Sequence, residues 1–154
     1  VRFSFFLVLL FLTQICSAQS YWQQRVNYRI DVTVNVADKT LEGFARIRYF
    51  NQSPDTLRAI WFHLWPNAYK NDRTAFTDQN LNSGNTKFYF SGKKEKGYIN
   101  RLNFVVDEKP ARTEDHPEHI DIIKLLLPKP LLPGDSAVIT TPFFVKLPLL
   151  FSRG

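Results

Sequence analysis

From Arg25 to Val36 polar and apolar residues alternate without a break. Val26, Tyr28, Ile30, Val32, Val34 and Val36 fall on one face, and Arg25, Asn27, Arg29, Asp31, Thr33 and Asn35 on the other. A period of two held this long marks a strand with one buried and one wet face. Ala37-Asp38-Lys39-Thr40 reads as a turn, after which Leu41 to Phe50 resumes the alternation with Leu41, Gly43, Ala45, Ile47 and Tyr49 on one side. Two alternating runs joined by a short polar link predict an antiparallel hairpin.

The rest of the chain continues in the same style. Asn51-Gln52-Ser53-Pro54-Asp55 is a second turn, dense in residues that bend or cap the backbone. Leu57 to Trp65 reads as a third strand, apolar in part on both faces and so expected to be covered on both sides. Pro66 ends it, because proline cannot donate to the ladder. Asn67 to Lys96 is the least regular part, with a short helix over Thr74 to Leu81 capped by Thr74 or Asp72. Lys87 to Ser91 and Tyr98 to Val106 read as strands separated by the basic turn Lys93-Lys94-Glu95-Lys96. Asp107-Glu108-Lys109-Pro110 turns the chain again. Ile120 to Leu127 and Ser136 to Val145 read as strands, with Pro128-Lys129-Pro130 and Leu131 to Asp135 as the loop between them. About seven strands and no long helix predict an all-β fold, an antiparallel β-sandwich or a saddle-shaped sheet.

A chain of 154 residues has room for one domain. The first 18 residues read as a signal peptide: Arg2 is the positive start, Phe3 to Leu12 the apolar stretch, and Cys16-Ser17-Ala18 the small residues before a cut that leaves Gln19 first. The competing membrane anchor needs ~20 apolar residues, and Thr13 and Gln14 break this run after about a dozen. A lipid-modified Cys16 is disfavoured by Gln14 and Ile15 before it. Export places the domain, residues 19–154, in the periplasm or the medium. Cys16 is the only cysteine, so that domain would carry no disulfide and rest on its core alone. The remaining residues, about 136 of them, suffice, since domains near this size bury roughly two-thirds of the unfolded surface. The net charge of +6 comes from scattered basic residues, a poor match to a nucleic-acid footprint.

Few residues have the spacing that chemistry requires. His116-Pro117-Glu118-His119, with Asp115, offers two imidazoles and two carboxylates, but the spacing of three around Pro117 is not that of a helical zinc site. The segment reads as a solvated turn. His63, between Phe62 and Leu64, reads as a hydrogen-bonded packing residue, with no acid or nucleophile that the sequence places beside it. Trp22, Trp61, Trp65 and Tyr69 are candidates for an aromatic platform for sugars or peptides, weighed against core or interface packing. No G-x-S-x-G, P-loop or dinucleotide turn occurs. No catalytic or metal-ligating residue is assigned.

Tyr28 to Val32, Thr40-Leu41-Glu42-Gly43, and above all Trp61-Phe62-His63-Leu64-Trp65-Pro66-Asn67-Ala68-Tyr69 resemble segments of the N-terminal domain of aminopeptidase N-like zinc metallopeptidases, in their secreted bacterial branch. Pro117 to Ile122 and Leu132 to Ser136 extend the resemblance over most of the chain after residue 18. The resemblance implies a saddle-shaped β-domain that packs on a thermolysin-like catalytic domain and helps enclose a peptide substrate. The zinc of such enzymes is held by H-E-x-x-H and a later Glu, and the peptide's amine by G-x-M-E-N. This sequence has neither motif, and no methionine. The expectation is a non-catalytic domain, truncated before its active site, with zinc only in the catalytic domain. The alternative from another class is a free-standing secreted β-sandwich that binds a protein or carbohydrate.

Overall fold

The first hairpin forms where the alternation places it. In the computed structural model, which describes residues 21–149, β1 (Arg25–Asn35) pairs antiparallel with β2 (Thr40–Phe50), from Arg25 opposite Phe50 to Asn35 opposite Thr40 without a slip. The turn closes on polar side chains: Asn35 Nδ2 donates to Asp38 Oδ2 at 2.8 Å, and the Asp38 N–H donates to Asn35 Oδ1 at 3.0 Å. The expected signal peptide, with Cys16 and Gln19, lies outside the described residues, as do residues 150–154.

β9 (Ser136–Lys146) runs along the other side of β2 over its whole length. Beyond β9 lie β4 (Tyr98–Asn100) and β5 (Val105–Val106), and β6 (Lys109–Pro110) pairs with β5 to complete a six-stranded sheet. A second sheet has the order β3 (Leu57–His63), β8 (Ile122–Leu131), β7 (Thr113–Asp115). Every pairing is antiparallel. The all-β, sandwich-like fold is therefore as expected. The core fills the space between the sheets, with Ala45, Ile47 and Ile139 from the larger one meeting Ile60, Ile123 and Leu125 from the smaller. Gly43 interrupts the apolar row of β2 because a Cβ there would run into the Asp31 carbonyl and the Phe143 ring, 2.6 Å from its Cζ.

The structure corrects the strand reading at several points. β1 was expected to bury one face, yet Tyr28, Ile30, Val32 and Val34 are all exposed. The core that the three-stranded sheet covers is built from β2, β9 and β5, and of the β1 row only Val26 packs against it, which leaves Tyr28 to Val34 at the margin. The third strand was expected to be covered on both faces. Ile60 and Leu64 are buried, whereas Trp61, His63 and Trp65 face outward. Lys87–Ser91 forms turns and no strand, with Phe88 buried against Tyr69 and Phe76. Tyr98–Val106 is split in two by residues 101–104, where Arg101 has φ 58°. Pro128 to Pro130 was expected as loop, yet β8 runs through it to Leu131. The ladder with β3 shifts there, from Ala59 opposite Leu126 to Leu57 opposite Leu131, which accommodates two prolines that cannot donate. The three-residue β7 was not anticipated, its sequence Thr-Glu-Asp lacking any strand pattern.

Tyr49, at the end of β2, has its phenol pushed above the usual 10.0, mainly by burial and secondarily by the charge that Tyr28 would carry. A raised folded-state pKa favours the neutral phenol, so this contribution to stability is complete below the unfolded pKa and is lost as pH rises through the folded one. Urea unfolding from about pH 8 to about pH 11 should show the native protein losing stability relative to Tyr49→Phe only above about pH 10. A difference between the two that stays constant with pH would contradict this.

Candidate functional site

His63 closes β3, and Leu64 leads into a 3-10 turn, Trp65–Tyr69, with Pro66 in its first positions. Proline is suited to a first turn because its missing N–H would have had no partner there. Across the sheet His63 pairs with Ile122, which brings Asp121 alongside. The Leu64 N–H donates to the Asp121 carbonyl at 2.6 Å, and His63 Nε2 sits 3.2 Å from Asp121 Oδ2. The Asp121 side chain is only 10% exposed, so imidazole and carboxylate form a half-sheltered pair, over which the Trp65 ring lies 3.8 Å from that of His63.

This pair forms part of the lining of a cleft of about 450 Å³. Trp65, Tyr69, Phe76, Val145 and Leu147 give it largely apolar walls, and Gln79 adds an amide. The helix α1 (Ala75–Asn82) forms one side, with its start fixed by Thr74, one of the two caps foreseen in the sequence. The Thr77 N–H donates to Thr74 Oγ1 at 3.3 Å, and Thr74 Oγ1 donates in turn to the Ala68 carbonyl at 2.7 Å, tying helix to turn. Asn67 braces the turn from below: its Nδ2 donates to the Ile120 carbonyl at 3.2 Å, and its Oδ1 accepts from the Ile99 N–H at 3.1 Å. Such a cleft can seat an apolar side chain and hold one polar or cationic group at its rim.

The other candidates disperse. His116 Nδ1 accepts from the backbone N–H groups of Glu118 and His119, both at 3.2 Å, so that nitrogen is engaged in shaping its own turn. The His116 and His119 rings lie 4.8 Å apart, but among the described residues no three His, Cys, Asp or Glu side chains gather as a metal site. The four aromatics do not form one platform in their ring contacts. Trp61 meets His116 at 5.7 Å, Trp65 meets His63, and Tyr69 meets Phe76 and Phe88. Trp22 is exposed ahead of β1. What sequence reasoning missed is Asp121, which lies 58 positions from His63 and joins it only through the pairing of β3 with β8. Compared with known proteins, the chain matches no family model and no curated protein sequence.

Proposed function

We propose that this chain is the non-catalytic N-terminal β-domain of an exported zinc aminopeptidase-like metallopeptidase, serving to pack on a catalytic domain and to help enclose its peptide substrate. The observation that carries the reading is the concentration of apolar surface around the cleft. Trp65 and Leu147, which line the cleft, are exposed, Trp65 at 71%, and Tyr89 and Phe90 are exposed next to Phe88, which packs on the cleft residues Tyr69 and Phe76. Monomeric domains rarely leave such surface bare unless another surface meets it. The His63–Asp121 pair in the cleft lining suits a wall that receives a neighbouring domain and stays partly polar where substrate passes. In this reading the zinc belongs to the catalytic domain, as the resemblance implies.

Two measurements test it. Reading the gene beyond the codon for Gly154 should reveal an H-E-x-x-H and a downstream Glu in frame. A stop codon there would remove the enzyme reading and leave the protein- or carbohydrate-binding sandwich. The purified chain should bind less than one zinc per molecule after dialysis and show no metal-dependent peptidase activity. Stoichiometric zinc held with Zn–N distances of about 2.0 Å would overturn the assignment.

A further inference from the structure

The sheet edges of this protein are treated unequally. Strand edges left open invite pairing with other chains, and folded proteins shorten, kink or cover them. β6 has two residues, one of them Pro110, and β7 has three. β3 is broken by a register shift between Leu57 and Ala59. β1 is the exception, with eleven residues, no proline, no glycine and no slip, and its outer side unpaired among the described residues. It also carries the bare apolar row, with Tyr28 63% exposed, Ile30 52%, Val32 46% and Val34 59%.

We propose that β1 is a dimerisation edge: two copies of this chain pair their β1 strands antiparallel about a twofold axis at Ile30, joining their six-stranded sheets into one. The sequence of β1 selects this register. An axis at Ile30 pairs all eleven residues, and it sets Arg29 opposite Asp31 of the partner copy, twice over by symmetry. Shifting the axis to Arg29 or to Asp31 sets that residue against its own copy, like charge on like charge. A slip by one residue would oppose Ile30 to a charged side chain and mix the two faces. At Ile30 the apolar faces match as well, with Tyr28 beside Val32 and Val26 beside Val34 of the partner copy. Arg29 and Asp31 are free to make these contacts, since their side chains are 80% and 71% exposed and their own contact within one chain is a loose 3.7 Å. Dimerisation therefore supplies the partners that the backbone edge lacks and gives the apolar row lateral neighbours from the second copy. This surface is separate from the cleft, so either proposal can fail without the other.

Sedimentation of the purified chain across a concentration series should show a monomer–dimer equilibrium. Arg29→Asp and Asp31→Arg each turn two attractive pairs into two repulsive ones, and each should weaken the dimer about tenfold or more. Mixing the two variants should restore association as a heterodimer, because the Asp introduced at 29 then faces the Arg introduced at 31, while the native Asp31 of the first variant faces the native Arg29 of the second. A chain that stays monomeric throughout would overturn the proposal. Association that neither reversal weakens, or that mixing fails to restore, would overturn it equally.

Discussion

Replacing Asn51 by alanine should lower the unfolding free energy by about 3 kcal/mol, a large fraction of what a domain of this size holds in reserve. Asn51 is fully buried where β2 ends, and its side chain joins four parts of the chain. Its Nδ2 donates to the carbonyls of Asp55 at 2.7 Å and of Leu131 at 3.1 Å, the latter at the end of β8 in the other sheet. Its Oδ1 accepts from Ser53 Oγ at 2.6 Å, from the Ser53 N–H at 3.1 Å and from Gln24 Nε2 at 3.3 Å. Its backbone is engaged too, the N–H donating to the Asp135 carbonyl at 2.9 Å and the carbonyl accepting from Gly134 at 2.7 Å. Alanine would strip buried donors and acceptors of their partners in a place water reaches poorly, and an unmade buried bond costs more than a made one contributes. Asn51→Asp is the sharper probe. It keeps the volume but loses both donations and turns a carboxylate toward two carbonyls, so it should destabilise at neutral pH at least as much as alanine does. Urea unfolding of the three proteins checks both claims, and a loss under about 1 kcal/mol for Asn51→Ala would show that the hub carries little weight.

The hub also shows where sequence reading reached its limit. Residues 51–55 were legible as a turn from composition alone, since Asn, Ser, Pro and Asp all favour bends. That Asn51 would be buried and reach Leu131, 80 positions away, depends on the packing of two sheets and leaves no local trace. The same division holds elsewhere. β1, β2 and β9 were legible because long runs with a period of two, or rich in β-branched residues, have no other good solution. Their pairing partners beyond the hairpin were not, as β2 lies beside a strand that comes only after all the others, with Phe50 opposite Ser136 and Thr40 opposite Lys146. Alternation identifies an apolar face but not whether anything covers it, which is how β1 came to be expected inside and is found outside. In the cleft, Trp65 and His63 stood out by residue type, while Asp121 entered only through the register of β3 on β8.

Replacing Leu125 by alanine should cost about 3–5 kcal/mol, the largest effect expected of any apolar truncation in this chain. Leu125 is completely buried at the middle of β8, with Ile60 beside it on β3 and Thr113 on β7, so its neighbours on both sides are fixed by ladders. Walls held in that way relax little into the space a missing isobutyl group leaves, and the cavity term then adds nearly in full to the lost transfer energy. The described domain has no cysteine, so nothing covalent offsets the loss. Val32→Ala is the matched control. It removes apolar carbons from a strand of the same protein, but from a side chain already 46% in water, and should change the stability of the monomer by no more than about 0.5 kcal/mol. Measured by urea unfolding at a concentration where the chain is monomeric, the two variants should differ by several kcal/mol, and at high concentration Val32→Ala should instead weaken self-association. If Val32→Ala proved as costly as Leu125→Ala in the monomer, the apolar row of β1 would be part of the core and not a surface that a second copy could lie beside.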